Sequence, residues 1–291
     1  MKRSSSIWFG LAAAVFAFPA MADSAPDFTG AWGRNAFDLE AVPSAKFKPV
    51  NNTLLLPSGA GDPTRPIADY TNPILKPQAV EILKKRAAGA TAGDISMDPS
   101  NQCAPQSPPF IFGMELGVQI MQGKSEITML YNQDSQVRHI RMNATHPAHV
   151  APSYMGDSIG RYEGDTLVVD TVGVKPGRIA VMDRYGTPFD ETMHLVERYR
   201  FIDAGDAKAA QARHEKMAGR IPAMALDESY AKGLQLELTI ENPAYFTAPL
   251  AALITYRHTN QPWGEQVCAE NTREYYKERD TPIPRADKPD F

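Results

Sequence analysis

The chain has 291 residues, a formal net charge of −4, 43% hydrophobic residues, 24 prolines and two cysteines. A mildly acidic chain with no Lys/Arg run excludes the electrostatic footprint of a nucleic-acid or anionic-membrane binder. One cysteine pair excludes a thiolate-rich zinc site, while the hydrophobic fraction is ample for a packed core.

Lys2 and Arg3 precede an apolar run from Ile7 to Phe18 that is too short to span a bilayer comfortably. Ala20-Met21-Ala22 then has the small-x-small form of a cleavage site. Residues 1–22 are therefore expected to be a signal peptide, with an uncleaved anchor as the alternative that the short run disfavours. The mature, soluble chain over 23–291 is expected in the periplasm as one domain, with nothing to fix its oligomeric state. An even cysteine pair in an exported protein predicts a Cys103–Cys268 disulfide, two free thiols being the alternative. Its long loop makes it worth about 4–5 kcal/mol in the chain-entropy account.

Gly30-Ala31-Trp32 opens a first strand in the manner of lipocalin-like barrels, whose Trp closes one barrel end, often beneath an Arg from the last strand. Arg257 is the candidate for that Arg, and a simple core Trp is the alternative. Residues 43–107 are rich in Pro, Asn and Gly and read as a loop or cap over one barrel end. Within them 77–88 predicts a helix, started by Pro77 and stopped by Gly89. From residue 116 onward short strands are expected at 117–122, 126–131, 136–142, 158–162, 166–172, 193–202, 234–241, 251–258 and 266–269, separated by Gly, Asn and Asp turns. An Ala-rich charged excursion over 204–232 is expected to be helical. The fold class that follows is mainly β: an antiparallel up-and-down, lipocalin-like barrel or half-barrel with an N-terminal cap and one helical insertion.

Side chains alternate faces along a strand. Glu197 shares its face with Leu195, Tyr199 and Phe201, and Asp170 shares its face with Val168 and Val172. Arg138 lies with Ile140 and Met142, while Arg141 lies on the other face with His139 and Val137. Acids and an Arg on apolar faces predict a partly buried ion-paired cluster. Two readings stay open: a salt-bridge network that fixes register, or a polar cluster at the bottom of a ligand cavity. Asp170 is expected to be the inward-facing ionisable residue of its hairpin.

Gly156-Asp157-Ser158-Ile159-Gly160 matches G-x-S-x-G, and Asp170 and His194 follow in the order of an α/β-hydrolase triad. The context opposes it, because a Pro-containing loop precedes and a hairpin follows where a strand and a helix are needed. His146-Pro147-Ala148-His149 offers two imidazoles with no recognised metal spacing, so no metal and no cofactor are assigned. His146 is the candidate proton-transfer group, since imidazole titrates near neutral pH, and a hydrogen-bonded loop histidine is the bland alternative. His194 and Glu197 lie three apart on a strand and so face opposite sides, which removes a helical H-x-x-E metal motif.

Pro26 to Trp32 (PDFTGAW), His146-Pro147, Met155 to Thr171 (MGDSIGRYEGDTLVVDT), His194 to Tyr199 (HLVERY) and Thr239 to Pro243 (TIENP) with a late Cys268 together resemble a family of exported bacterial proteins. Those proteins carry PDFTG-x-W, M-G-x-S-I-G-x-W-E-G-D-T-L-V-V-D-T and H-x-x-E-R-[FY] motifs. Tyr162 stands where that pattern has Trp, and the 204–232 segment is longer. The resemblance implies a lipocalin-like barrel in the periplasm and points weakly to bacteria that degrade aromatic or steroid compounds.

The sequence thus yields an expectation of a cofactor-independent acid–base enzyme, a lyase or isomerase for a hydrophobic, aromatic acid held in the barrel. Arg138 or Arg141 would hold the carboxylate, Tyr154 and Tyr199 would line the site, His146 and Glu197 would move protons, and Asp170 would orient a partner. A non-catalytic binding protein for a hydrophobic small molecule is the alternative, and a serine hydrolase at Ser158 is the third.

Overall fold

The computed structural model describes residues 25–34, 39–53, 55, 57, 66–92, 98–114, 116–177, 179–218, 224–262 and 264. The expected signal peptide, the expected 266–269 strand and Cys268 lie outside them, and with Cys268 the expected disulfide partner of Cys103.

The described chain is mainly β. Its strands are β1 (Gly30–Gly33), β2 (Glu40–Ala41), β3 (Val118–Gln122), β4 (Glu126–Tyr131), β5 (Val137–Met142), β6 (Asp157–Glu163), β7 (Thr166–Val172), β8 (His194–Asp203), β9 (Lys232–Glu241) and β10 (Leu250–His258). Its two α-helices, among the described residues, are α1 (Pro77–Thr91) and α2 (Ala204–Ala218). The strand order is β1-β3-β4-β5-β6-β7-β8-β9-β10-β2, and β1 also pairs with β10. That pairing closes nine strands into a barrel, with the two-residue β2 added on the β10 edge. A closed barrel leaves no long strand edge unpaired.

The inner face is set by the period-two pattern. In β9, Leu234, Leu236, Leu238 and Ile240 are fully buried, while Gln235, Glu237 and Thr239 alternate outward. Each such Leu or Ile contributes about 1.5–3 kcal/mol on burial, enough to pin the register. The β6–β7 hairpin turns on two residues, Gly164 and Asp165, with Glu163 facing Thr166. Gly164 has φ +62° and open space around it, so the backbone conformation alone requires glycine there.

One connection departs from an up-and-down meander. β5 and β6 pair in parallel, Ile140 opposite Ser158 and Met142 opposite Gly160. Parallel neighbours need a crossover, and residues 143–156 supply it. The crossover leaves β5 through Asn143 (φ +53°), whose N–H bonds Gly160 O, and Ser153 then pairs in parallel with Val174 before the chain turns at Gly156 (φ +69°). Gly160 is required by packing: a Cβ there would meet Met142 Sδ at 2.8 Å and Ile140 Cγ2 at 2.9 Å.

Trp32 plugs one barrel end, fully buried, its indole N–H bonding Phe28 O at 2.9 Å. His258 and Tyr230 pack edge-on against it, at 5.5 Å and 84° and at 5.7 Å and 83°, with Phe201 tilted at 5.8 Å. The expected Arg257 instead faces outward, bonding Gln211 of α2 at 2.7 Å and Glu228 at 2.9 Å. Alternation along β10 explains the exchange, because residues 257 and 258 point to opposite faces. α2 lies outside the barrel, with Arg213 and His214 ion-paired to Glu40 of β2. The expected excursion over 204–232 is helical only through Ala218 among the described residues.

The other end is covered by the N-terminal segment. Leu75 bridges to Phe246 in the β9–β10 turn, and α1 buries Ala79 and Leu83. α1 runs through Gly89 to Thr91 instead of stopping, since an isolated helical glycine costs only about 1 kcal/mol. A short helical turn, Phe110–Gly113, then inserts Phe112 into the lumen, where Phe112 O accepts from Tyr256 at 2.8 Å.

Candidate functional site

Two polar networks occupy opposite faces of β5 to β8. The inner one is built from Arg138 on β5, Ser158 on β6, Thr171 on β7 and Glu197 and Tyr199 on β8. Register brings them into one layer, because Met129 pairs with Arg138, Val169 with Glu197 and Leu167 with Tyr199. The Arg138 and Glu197 side chains are both fully buried and form a bidentate pair, Nη1–Oε2 at 2.8 Å and Nη2–Oε1 at 2.6 Å. Arg138 Nε also donates to Ser158 Oγ at 3.1 Å, and Nη2 to Thr171 Oγ1 at 2.7 Å. Glu197 accepts from Tyr199 at 2.8 Å and Thr171 at 3.3 Å. The guanidinium also lies 5.2 Å from the Phe112 ring.

Burial works against a charged Arg138, but Glu197 outweighs it and raises the pKa further. Burial pushes Tyr131 up to about 12 and Tyr199 well above its ordinary value. These phenols stay neutral and act as donors or packing groups. A buried charge pair surrounded by satisfied hydroxyls is a fixed structural element, with the guanidinium committed on both its Nη atoms and its Nε.

The outer network is a line across five strands. Arg141 on β5 holds Asp157 of β6 in a bidentate pair, both contacts 2.8 Å. His146, in the crossover, donates from Nδ1 to Asp157 Oδ2 at 2.6 Å and from Nε2 to Asp170 Oδ1 at 2.9 Å. Asp170 on β7 receives His194 Nε2 of β8 on its other oxygen, at 3.1 Å. His194 Nδ1 lies 3.7 Å from Glu241 Oε2 on β9. The His146 side chain is 22% exposed and that of His194 32%.

Burial lowers the His146 pKa, but the hydrogen bonds to Asp157 and Asp170 outweigh it and the net shift is upward. For Asp170 burial raises, yet His146 and His194 prevail and the net shift is downward. Both nitrogens of His146 face carboxylates, so the imidazolium with two N–H donors is the form that satisfies the site. That cation ties the crossover to the barrel wall and has no lone pair left to take a proton. His194 differs: Asp170 orients one nitrogen, and the other lies on the partly open side toward Glu241.

The expected residues therefore divide. Arg138, Glu197 and Tyr199 come together inside; His146, Asp170 and Arg141 come together outside. Asp170 was expected to face inward and does not, since it pairs with Val196, whose face is opposite to that of Glu197. Its strand is apolar on both faces: Val168 is buried on the outer side between Arg161 and Arg198, whose arms both reach Glu163. Parity alone could not tell which face was the lumen. Tyr154 sits on the crossover, against Gly177, with Lys175 Nζ 5.5 Å from its ring. Ser158 Oγ is an inner-face group, while Asp170 and His194 lie on the outer face, so the three are not brought together as a triad.

His194 entered the sequence reading only beside Asp170 in the disfavoured hydrolase triad and in the discarded H-x-x-E motif. A usable signal was present: on the β7–β8 pair, 194 and 170 share the face opposite 197. No group of three or more His, Cys, Asp or Glu side chains suited to a metal ion occurs among the described residues.

Comparison with known protein families, curated proteins and solved structures returned no match for this chain. Its functional reading rests on its own geometry.

Proposed function

We propose that the protein is a periplasmic, cofactor-independent acid–base enzyme, a lyase or isomerase for a hydrophobic aromatic acid, with His194 oriented by Asp170 as its proton-transfer group. The supporting observation is the Asp170 Oδ2–His194 Nε2 contact of 3.1 Å beside a partly exposed imidazole. A carboxylate that fixes one imidazole nitrogen holds the ring and leaves the other to exchange a proton. The proton-transfer role thereby moves from His146 and Glu197, whose polar atoms are engaged by charged partners, to His194.

The test is incubation with a panel of aromatic acids, read by mass spectrometry for loss of carbon dioxide, elimination or rearrangement. His194→Gln is expected to lower turnover by about 10²–10⁴-fold, the usual scale of general acid–base catalysis, while leaving the circular dichroism spectrum unchanged. Turnover at the wild-type rate in that variant removes the assignment.

A second reading, a non-catalytic binding protein for such an acid, is favoured by one observation: the inner Arg138 and Glu197 are saturated by each other and by neighbouring hydroxyls. It predicts saturable binding with the ligand recovered chemically intact.

A further inference from the structure

The crossover from β5 to β6 is held to the barrel by two kinds of contact. Its ends are fixed by main-chain bonds. Asn143 N–H bonds Gly160 O at 2.7 Å at one end. At the other, Ser153 N–H bonds Gly173 O at 3.1 Å and Ser153 O accepts from Lys175 N–H at 2.7 Å. None of these groups titrates.

The middle is held differently. His146 reaches Asp157 Oδ2 at 2.6 Å and Asp170 Oδ1 at 2.9 Å, and Arg141 Nη1 donates to Thr145 O at a long 3.4 Å. Among the described residues no other hydrogen bond or ion pair holds residues 144–152. Pro147, Ala148, His149, Ala151 and Pro152 are exposed. Val150 lies over Gly173, where a Cβ would collide with Val150 Cγ1. The segment is thus a strap with permanent ends and a centre pinned by one ionisable side chain.

The charges around that pin give it a switch. Asp157 of β6 and Asp170 of β7 face His146 directly. Behind them stand Arg141 of β5 on Asp157, His194 of β8 on the other oxygen of Asp170, and Glu241 of β9 beyond His194. An imidazolium offers each carboxylate an N–H. A neutral imidazole has one N–H for two carboxylates and turns a lone pair toward the other.

We infer that the middle of the crossover is a flap beside the Asp170–His194 dyad, latched by the His146 cation between Asp157 and Asp170 and released when that cation gives up its proton. The inference rests on the acid–base reading above and deepens it by naming what regulates that site. Latched, His146 covers one oxygen of Asp170; released, that oxygen opens to solvent and the whole carboxylate faces His194. Burial lowers the His146 pKa, but the bonds to the two carboxylates outweigh it. The latch is therefore fully set below 6.5 and is lost as pH rises through the folded value.

The experiment places a thiol under the flap with Val150→Cys in the full chain. Its alkylation by iodoacetamide is followed by peptide mass spectrometry across pH 6 to 10. The same change is made together with His146→Gln, and the ratio of the two rates at each pH cancels the ionisation of the thiol itself. At pH 6 alkylation is expected to be about fivefold faster without His146, equivalent to about 1 kcal/mol for a latch of partly exposed contacts. The ratio should narrow as pH rises. Equal rates at pH 6, or a ratio that does not change with pH, overturn the proposal. If the His146→Gln protein does not fold, the reference is Val137→Cys, a thiol on the exposed outer wall away from the flap. The flap thiol should then gain about fivefold on that reference as pH rises, and a flat ratio overturns the proposal. Alkylation needs no substrate, so the two readings separate. The expected ratios without conversion of any aromatic acid keep the flap and sink the acid–base reading; conversion with flat ratios sinks the flap alone.

Discussion

On the inner face of β5 to β8, Arg138 and Glu197 have no solvent exposure and every contact is short and reciprocal. On the outer face of the same strands, His146, Asp170 and His194 are between about a fifth and a third exposed, and the Asp170 carboxylate is shared between the two imidazoles. The same strands place charge on both sides; what differs is the surroundings. Inside, low dielectric makes an unpaired charge so costly that the pair is frozen. Outside, water screens the same kinds of charge, so each contact there holds its partners less tightly.

The largest test of that contrast is to leave one inner charge without its partner. Glu197→Ala strands Arg138, and a loss of about 3–5 kcal/mol is expected in denaturant unfolding. Arg138→Met combined with Glu197→Leu is expected to cost far less than the two single changes added together, because a shape-matched apolar pair needs no solvation. A double variant as unstable as the sum would mean the inner pair is more than a structural clamp.

Next in size is the crossover pin. His146→Gln removes a cation held by two partly exposed carboxylates, for which about 1 kcal/mol is expected. The pH dependence has a defined sign. The His146 pKa is raised, so its stabilisation is fully present below its ordinary value of 6.5 and is lost as pH rises through the folded value. The Asp170 pKa is lowered, so its contribution is present above 3.8 and is lost as pH falls through the folded value. The stability gap between wild type and His146→Gln should therefore be widest between these two limits and narrow on either side. A gap that widens in alkali would contradict the imidazolium assignment.

The smallest effect is expected at His139 and Glu126, a 2.7 Å contact between side chains that are both largely exposed on the outer wall. Glu126→Gln should leave the unfolding midpoint unchanged, since solvent screens such pairs. A clear shift would show that exposure is not what separates the two faces.

Much of the barrel was legible in the residues. The alternation of Leu234, Leu236, Leu238 and Ile240 and the Gly164 turn specify strands and a hairpin by local rules. The same alternation put Arg138 with Ile140 and Met142, and Glu197 with Leu195 and Tyr199, so the inner ion pair was readable as two charges on apolar faces. The parallel β5–β6 step was not readable, because strand direction within a sheet depends on where a crossover packs, and residues 143–156 carry no pattern that states it. Asp170 and His194 could be named together from their order in the chain, but only the pairing of β7 with β8 puts them in contact on the outer face.

By itself the sequence determined the strand periods, the place of the turn at Gly164 and that charges on apolar strand faces had to be paired, since each follows from neighbours a few residues away; the pairing of Glu163 with Thr166 shortened that turn to two residues. Only the tertiary structure decided which face of β7 is the lumen, that His258 and not Arg257 meets Trp32, and that His146 and His194 share one carboxylate. Those outcomes depend on closure of the barrel and on the crossover lying over its outer wall, where residues far apart in the chain fix one another's surroundings.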